Sequence, residues 1–249
     1  MQELLSLLNE GTLYSFLLLF ARVLAFCTFM PVFGHTSVNS TIRVGIAFYI
    51  TIFLYPIVNV EGTFTQETFI SAIITEITLG LIAAMFLNVA FAAVRIIGDF
   101  VGYSTALSMT SMIDPASGSN EGLVSRLLYW VALMIFFETG MYEMTVVILS
   151  KSFSMIHLGA FDIFSYNGIQ IAIDEIKRMF AFAFAFALPL FFVGFIMDIY
   201  YGYGTKSMPA FSPFVITFQL KFALIFLFLI LGMEVFTDSF TNYLITKFE

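Results

Sequence analysis

Met179-Phe-Ala-Phe-Ala-Phe-Ala-Phe-Ala-Leu-Pro-Leu-Phe-Phe-Val-Gly-Phe-Ile-Met-Asp-Ile-Tyr-Tyr-Gly-Tyr203 is the stretch whose reading decides the fold. The Phe/Ala alternation from Phe180 to Ala187 has the period of a strand. Its flanks, however, run on without a polar face through Phe195, so the stretch reads as helix. On a helix those Phe residues spread around the whole circumference. Such a helix is buried on every side, by lipid, by protein or by both. The run is also longer than the roughly 20 apolar residues that a bilayer crossing needs.

Five more stretches of the same character lie outward from it: Thr12–Phe33, Ile42–Val60, Phe69–Ile97, Leu123–Leu149 and Phe211–Phe236. Gly34-His-Thr-Ser37 after Pro31, Asn59–Thr63, and Gly202-Tyr-Gly204 with Pro209 supply turn chemistry between neighbours, and such short breaks imply helical hairpins. Two connections are longer. Gly98–Gly122 is rich in Ser, Gly, Ala and Met, and Ser150–Arg178 is the most polar part of the chain. The second half of the latter, Gly168–Arg178, reads as the start of a helix that enters the fifth apolar segment. The fold class expected is therefore an all-α membrane protein of about six long apolar helices arranged as hairpins. Residues 1–249 form one domain, with no internal repeat.

Composition agrees. Of 249 residues, 60% are hydrophobic and 11% charged, against roughly 45–50% and about 25% in soluble domains. The net charge of −7, with ten scattered basic residues, argues against nucleic acid as a partner. Cys27 is the single cysteine, which excludes an intramolecular disulfide, and no metal or cofactor site is expected. Met1–Glu10 lacks a basic n-region, so the first apolar stretch is expected to remain in the mature chain. His35 and His157 lie in loops without a supporting cluster, and no nucleophile or phosphate-loop motif is present, so no enzyme activity is expected.

The charges give no orientation. If all six segments span, Lys151, Lys177, Arg178 and Lys247 on one side face Arg43, Arg95, Arg126 and Lys206 on the other, a tie under the positive-inside rule. Arg22, Glu76, Glu138, Glu143 and Lys221 fall inside apolar segments, where a charge is costly unless it pairs, faces the interior or lines water. Two readings stay open: an ion or substrate pathway, or buried pairs at contacts, for example Arg22 or Lys221 with Glu76. Gly98, Gly102 and Ala106 repeat every four residues on one helix face, where small side chains let another backbone approach. Arg95 and Asp99 share a face and are placed to pair.

Ser104–Gly118 stands apart. For ten residues it holds no charge and no aromatic, and it then meets Asp114-Pro115, which suit the cap and first turn of a new helix. Met109, Met112 and Ile113 would make a compressible apolar seal in a plug or constriction. A plain inter-helix connection is the other reading.

These pieces, in this order, resemble the FliR family, the flagellar member of the type III secretion export gate. The resemblance rests on Arg22 with Pro31, Phe33, Gly34 and Arg43; Glu76 with Gly80; Gly98 with Gly102; and Ile113-Asp-Pro-Ala-Ser117 with Arg126. Ser152-Phe153, Leu188-Pro189 and Met208-Pro209 with Ser212 and Phe214-Val-Ile216 complete it. It covers nearly the whole chain. Thr139-Gly140-Met141 departs from the family's Asn-Gly-His, and Pro209-Ala210 from its Pro-Gln, so contacts made by that His would be made differently here. The injectisome branch shares the gross pattern.

The resemblance implies a non-enzymatic gate subunit of the bacterial inner membrane and flagellar basal body. It would assemble with several FliP and FliQ copies, beside other export-apparatus proteins, to pass unfolded substrates. Residues 1–150 would be FliP-like and 151–249 FliQ-like. Met109, Met112, Ile113, Asp114 and Pro115 would form the pore plug. The competing class is a six-helix transporter for a small solute, which would call for a midplane site built from broken helices and repeats.

Overall fold

The computed structural model describes residues 10–34, 38–58, 66–105, 122–161, 168–207 and 214–248. Among them lie eight helices: α1 (Glu10–Phe29), α2 (Ser40–Leu54), α3 (Gln66–Ser104), α4 (Leu123–Glu138), α5 (Met141–Met155), α6 (Gly168–Ser207), α7 (Phe214–Leu231) and α8 (Met233–Phe248). The all-α expectation holds. The segment 106–121, with Ala106, Met109, Met112, Ile113, Asp114 and Pro115, lies outside the described residues, as do His35 and the 208–213 connection.

The helices differ from six equal spans, for local reasons. α1, α3 and α6 are long and apolar enough to cross a membrane, and the count rises to five only if each of two broken pairs acts as one span. α2 has 15 residues, about 22 Å at 1.5 Å per residue, short of a hydrocarbon core of about 30 Å. It ends just before Pro56, which lacks the N–H that would continue the helical ladder, although Tyr55 keeps helical backbone angles and still donates to the Thr51 carbonyl. At the other extreme α3 has 39 residues and α6 has 40, each about 60 Å long. Gly168–Arg178 does begin the fifth apolar helix, as its sequence suggests.

The fourth apolar stretch breaks between α4 and α5 at Gly140, whose φ of +71° belongs to the left-handed region that glycine enters freely. The sixth breaks at Gly232, where α7 and α8 meet at a 54° bend. The hydrogen bonds Gly232 N to Phe228 O and Phe236 N to Gly232 O carry the chain through.

The chain forms two compact units that interleave in sequence: Met1–Val89 with Gly140–Glu175, and Ala90–Thr139 with Ile176–Lys247. In the first, Leu18, Leu19, Val23 and Ala47 are fully buried. Phe48 of α2 meets the rings of Phe16 and Phe20 edge-on at 5.9 and 6.0 Å, a favoured aromatic geometry.

In the second unit, Phe91 packs edge-on against Tyr129, Phe136 and Phe240. The Phe/Ala run resolves as the helix reading requires: Ala183 and Ala187, one turn apart, are fully buried. Phe182 stacks on Tyr243 at 4.8 Å, Phe184 meets Phe100 at 5.4 Å, and Phe180 faces outward. Large rings thus leave α6 in several directions while its alanines let a neighbour come close.

Hydroxyl side chains along the helices bond back to their own backbone. Thr28, Thr51, Thr78, Thr139, Thr145 and Thr237 each donate to the carbonyl four residues earlier, at 2.6 to 2.9 Å.

Candidate functional site

Arg22 on α1 sits 2% exposed, and Glu76 on α3 is fully buried. The guanidinium meets the carboxylate along both edges: Nε donates to Oε2 at 2.5 Å and a terminal nitrogen donates to Oε1 at 3.0 Å. This bidentate fork is the geometry that makes Arg–carboxylate pairs strong. The same guanidinium donates to Ser152 Oγ at 3.3 Å and to the Ile156 carbonyl at 3.2 Å, and lies 4.2 Å over the Phe153 ring. Glu76 Oε1 also accepts the Gly159 N–H at 2.8 Å. One ion pair therefore ties α1, α3 and the C-terminal end of α5 together.

Gly80 explains how the two helices come near enough. A Cβ there would lie 2.9 Å from the Ala25 Cβ and 3.1 Å from the Phe26 nitrogen. Only a residue without a side chain permits that approach, one turn beyond Glu76. The three separate sequence pieces Arg22, Glu76/Gly80 and Ser152-Phe153 thus form one cluster. Within it the guanidinium and carboxylate pair with each other and are enclosed by protein groups.

Arg43 on α2 holds the turn that follows α1. Its Nε donates to the Phe33 carbonyl at 2.9 Å and a terminal nitrogen to the Val38 carbonyl at 3.3 Å. Gly34 fits inside that turn, since a Cβ would fall 2.7 Å from the Met30 carbonyl oxygen. Asn88 on α3 donates to the Phe29 carbonyl at the end of α1.

In the second unit the site expectations distribute differently. Gly98 packs against the backbone of Ser125 on α4, whereas Gly102 has open space where its Cβ would be. The small-residue face is thus a close contact at one position among the described residues. Asp99 accepts the Ser125 hydroxyl, and Arg95 lies 4.9 Å over the Tyr129 ring. Glu138 and Glu143 are exposed. Glu138, grouped with the buried charges on sequence, borders an open polar depression with Thr139, Asp238 and Asn242.

Lys221 on α7 pairs not with Glu76 but with Asp198 on α6, its Nζ 2.8 Å from each carboxylate oxygen. Asp198 escaped the sequence reading, although the signal was present as the one acidic residue in the stretch that decides the fold. Ser152, Ile156 and Gly159 escaped as partners of the ion pair because two of them act through backbone atoms. Met109, Met112, Ile113, Asp114 and Pro115 lie outside the described residues. Their root, however, is visible: the Ser104 hydroxyl donates to the Val101 carbonyl at 2.9 Å, and the Thr105 hydroxyl to those of Val101 and Gly102 at 2.9 and 3.1 Å.

Comparison with known proteins adds the family context. The family model described as "Bacterial export proteins, family 1" matches residues 13–246. The chain is 29% identical over 229 residues to "Flagellar biosynthetic protein FliR" of Bacillus subtilis, covering 89% of this chain and 86% of that protein. It is 23% identical to the protein of the same name from Aquifex aeolicus, covering 94% and 91%. "Surface presentation of antigens protein SpaR" of Salmonella typhimurium is 21% identical, covering 85% and 80%.

Proposed function

The chain belongs to the bacterial export proteins, family 1, and from that premise we propose that it is the structural and gating subunit of a flagellar type III protein export gate. The observation that carries this reading is the extent of the family match, which spans residues 13–246. Relatives named for flagellar biosynthesis align over most of their own length. The site is the bacterial inner membrane at the flagellar basal body, and the role is structural and conductive rather than enzymatic.

Assembly with FliP and FliQ homologues is the partnership this reading implies. Phe192, Phe195, Ile196 and Ile199 on α6 are each at least half exposed, an apolar stripe that lipid or a partner helix would cover. Residues 1–150 act as the FliP-like part and 151–249 as the FliQ-like part, beside other components of the apparatus. In this reading the cluster around Arg22 and Glu76 fixes the register of the first part. The Ser104–Asn120 loop closes the pore when no unfolded substrate occupies it. A constriction of Met109, Met112 and Ile113 has no charge with which to hold ions and dewets readily, and Asp114 and Pro115 complete the plug in this reading.

The experiment is co-expression with FliP and FliQ, a tag on this chain alone, and native mass spectrometry of the purified material. A discrete complex holding this chain with multiple FliP and FliQ copies is expected. A stable monomer or homodimer would sink the reading and favour a small-solute transporter. The likeness to SpaR supports a second reading, the homologous injectisome subunit. Restored motility in a strain lacking its flagellar FliR separates the two.

A further inference from the structure

Two interruptions of the apolar helices meet at one cavity. Pro189 interrupts the hydrogen-bond ladder of α6, because it has no N–H to give the Ala185 carbonyl one turn back. Gly232 marks the 54° bend between α7 and α8. Ala185, Pro189 and Gly232 all line the same space, a cleft of about 530 Å³ inside the second unit. Helices that kink or bend part from their neighbours, and close packing fails where two of them do so together.

The cleft has a floor and an open side. Ile97 of α3, Leu128 of α4, Leu229 of α7 and Phe236 of α8 are each at most 8% exposed and close it from within. Phe228 is 48% exposed and Val235 59%, so the mouth lies where α7 turns into α8. α6 is long and apolar enough to cross a membrane, and α7 with α8 passes the same test as one bent span. The medium at the mouth is therefore hydrocarbon.

The chemistry of the walls narrows the occupant. Among the described residues the lining carries no charge, and its only polar side chain is Ser239. An extended peptide would bring N–H and C=O groups that find no partners there. A helix satisfies its own backbone, but at about 10–12 Å across it would exhaust 530 Å³ in roughly one turn. A hydrocarbon chain is slender and brings no polar group to leave unpaired. An apolar cavity of about 150 Å³ already takes up benzene, and this cleft is more than three times that size. Left open, it would forfeit dispersion contacts along every wall.

We propose that this cleft binds one acyl chain of a membrane phospholipid, inserted between Phe228 and Val235 and resting on Leu229 and Phe236. The chain supplies the packing that Pro189 and Gly232 interrupt, and so holds α6 and the α7–α8 pair at their spacing. The site is a property of the second unit by itself, whatever the protein assembles with.

The test is made in cells carrying the tagged full chain. They are fed a fatty acid with a diazirine near its methyl end, which they build into phospholipid. After irradiation the chain is purified and its adducts are mapped by mass spectrometry. Adducts with the mass of a whole phospholipid are expected on the floor, at Ile97, Leu128 and Phe236. Ser239→Phe, which fills the cleft, is expected to remove most of that label while label on the exposed Phe195, Ile196 and Ile199 stays as in the wild type. If that variant does not accumulate, Val193→Phe fills the cleft from α6 with the same expectation. A floor without label overturns the proposal, because the cleft is then closed or covered by protein. Floor label that survives filling also overturns it, and adducts with the mass of the fatty acid alone reject a phospholipid in favour of a free acid.

Discussion

Gly98 of α3 and Ser125 of α4 meet backbone to backbone: a Cβ on Gly98 would lie 2.6 Å from the Ser125 nitrogen. The nearest atoms are backbone, the Ser125 Cα closest of all, and cannot swing aside as a side-chain tip would. Gly98→Ala is therefore expected to overpack the contact at a cost of about 1–3 kcal/mol. Gly102→Ala, four residues on and facing open space, is expected to be neutral or to gain up to about 1 kcal/mol from helix propensity. Thermal unfolding of the two variants, each co-purified in complex with FliP and FliQ, decides the matter. Equal losses would mean that the small-residue face acts as a whole.

The pair of Arg22 and Glu76 is expected to behave as a unit. Removing one partner leaves a buried charge uncompensated, a loss of about 3–5 kcal/mol, so Arg22→Met and Glu76→Leu should each deplete the folded protein. The double variant should lose less than the two singles combined, because it leaves neither charge behind. A double-mutant cycle on the stability of the complex co-purified with FliP and FliQ measures the coupling, and additive losses would contradict it.

Arg43 is expected to matter through its two carbonyl acceptors, Phe33 and Val38. Hydrogen bonds from a charged donor contribute about 1.5–3 kcal/mol. Arg43→Met should speed proteolytic cutting between α1 and α2. Lysine keeps the charge but lacks the fork that reaches both oxygens, so Arg43→Lys should cut at a rate nearer Met than wild type. A wild-type rate for Arg43→Lys would show that charge alone suffices.

Gly140, with φ +71°, separates α4 from α5. Gly140→Ala is expected to destabilise by about 1–2 kcal/mol, the cost of left-handed backbone for an L residue, while Gly140→Asn is expected to be milder. Unfolding midpoints that place Ala above Asn would overturn the backbone argument.

The helical class was legible because the apolar runs leave no polar face and their flanks carry turn residues. The pair at Glu76 was legible as one of two options, since composition says that a buried acid needs a cation but not which one. Distances chose Arg22, through Gly80, and sent Lys221 to Asp198. The broken helices were hidden because a single glycine in an apolar run reads as a tolerated helix residue. Neither the left-handed Gly140 nor the bend at Gly232 has a hydropathy signature. Pro56 did signal the end of α2, but the apolar residues Ile57, Val58 and Val60 carried the pattern past it. Glu138 looked buried because its neighbours are apolar, whereas its own position on α4 turns outward.

The threonines that donate to the carbonyl one turn back alter what the surrounding medium meets. A hydroxyl with its hydrogen already directed at its own helix presents mainly a methyl group and the flank of an oxygen. To a lipid tail or an apolar neighbour these residues resemble valine more than an alcohol. Hydropathy scales score them by composition and so understate how oily the helices are.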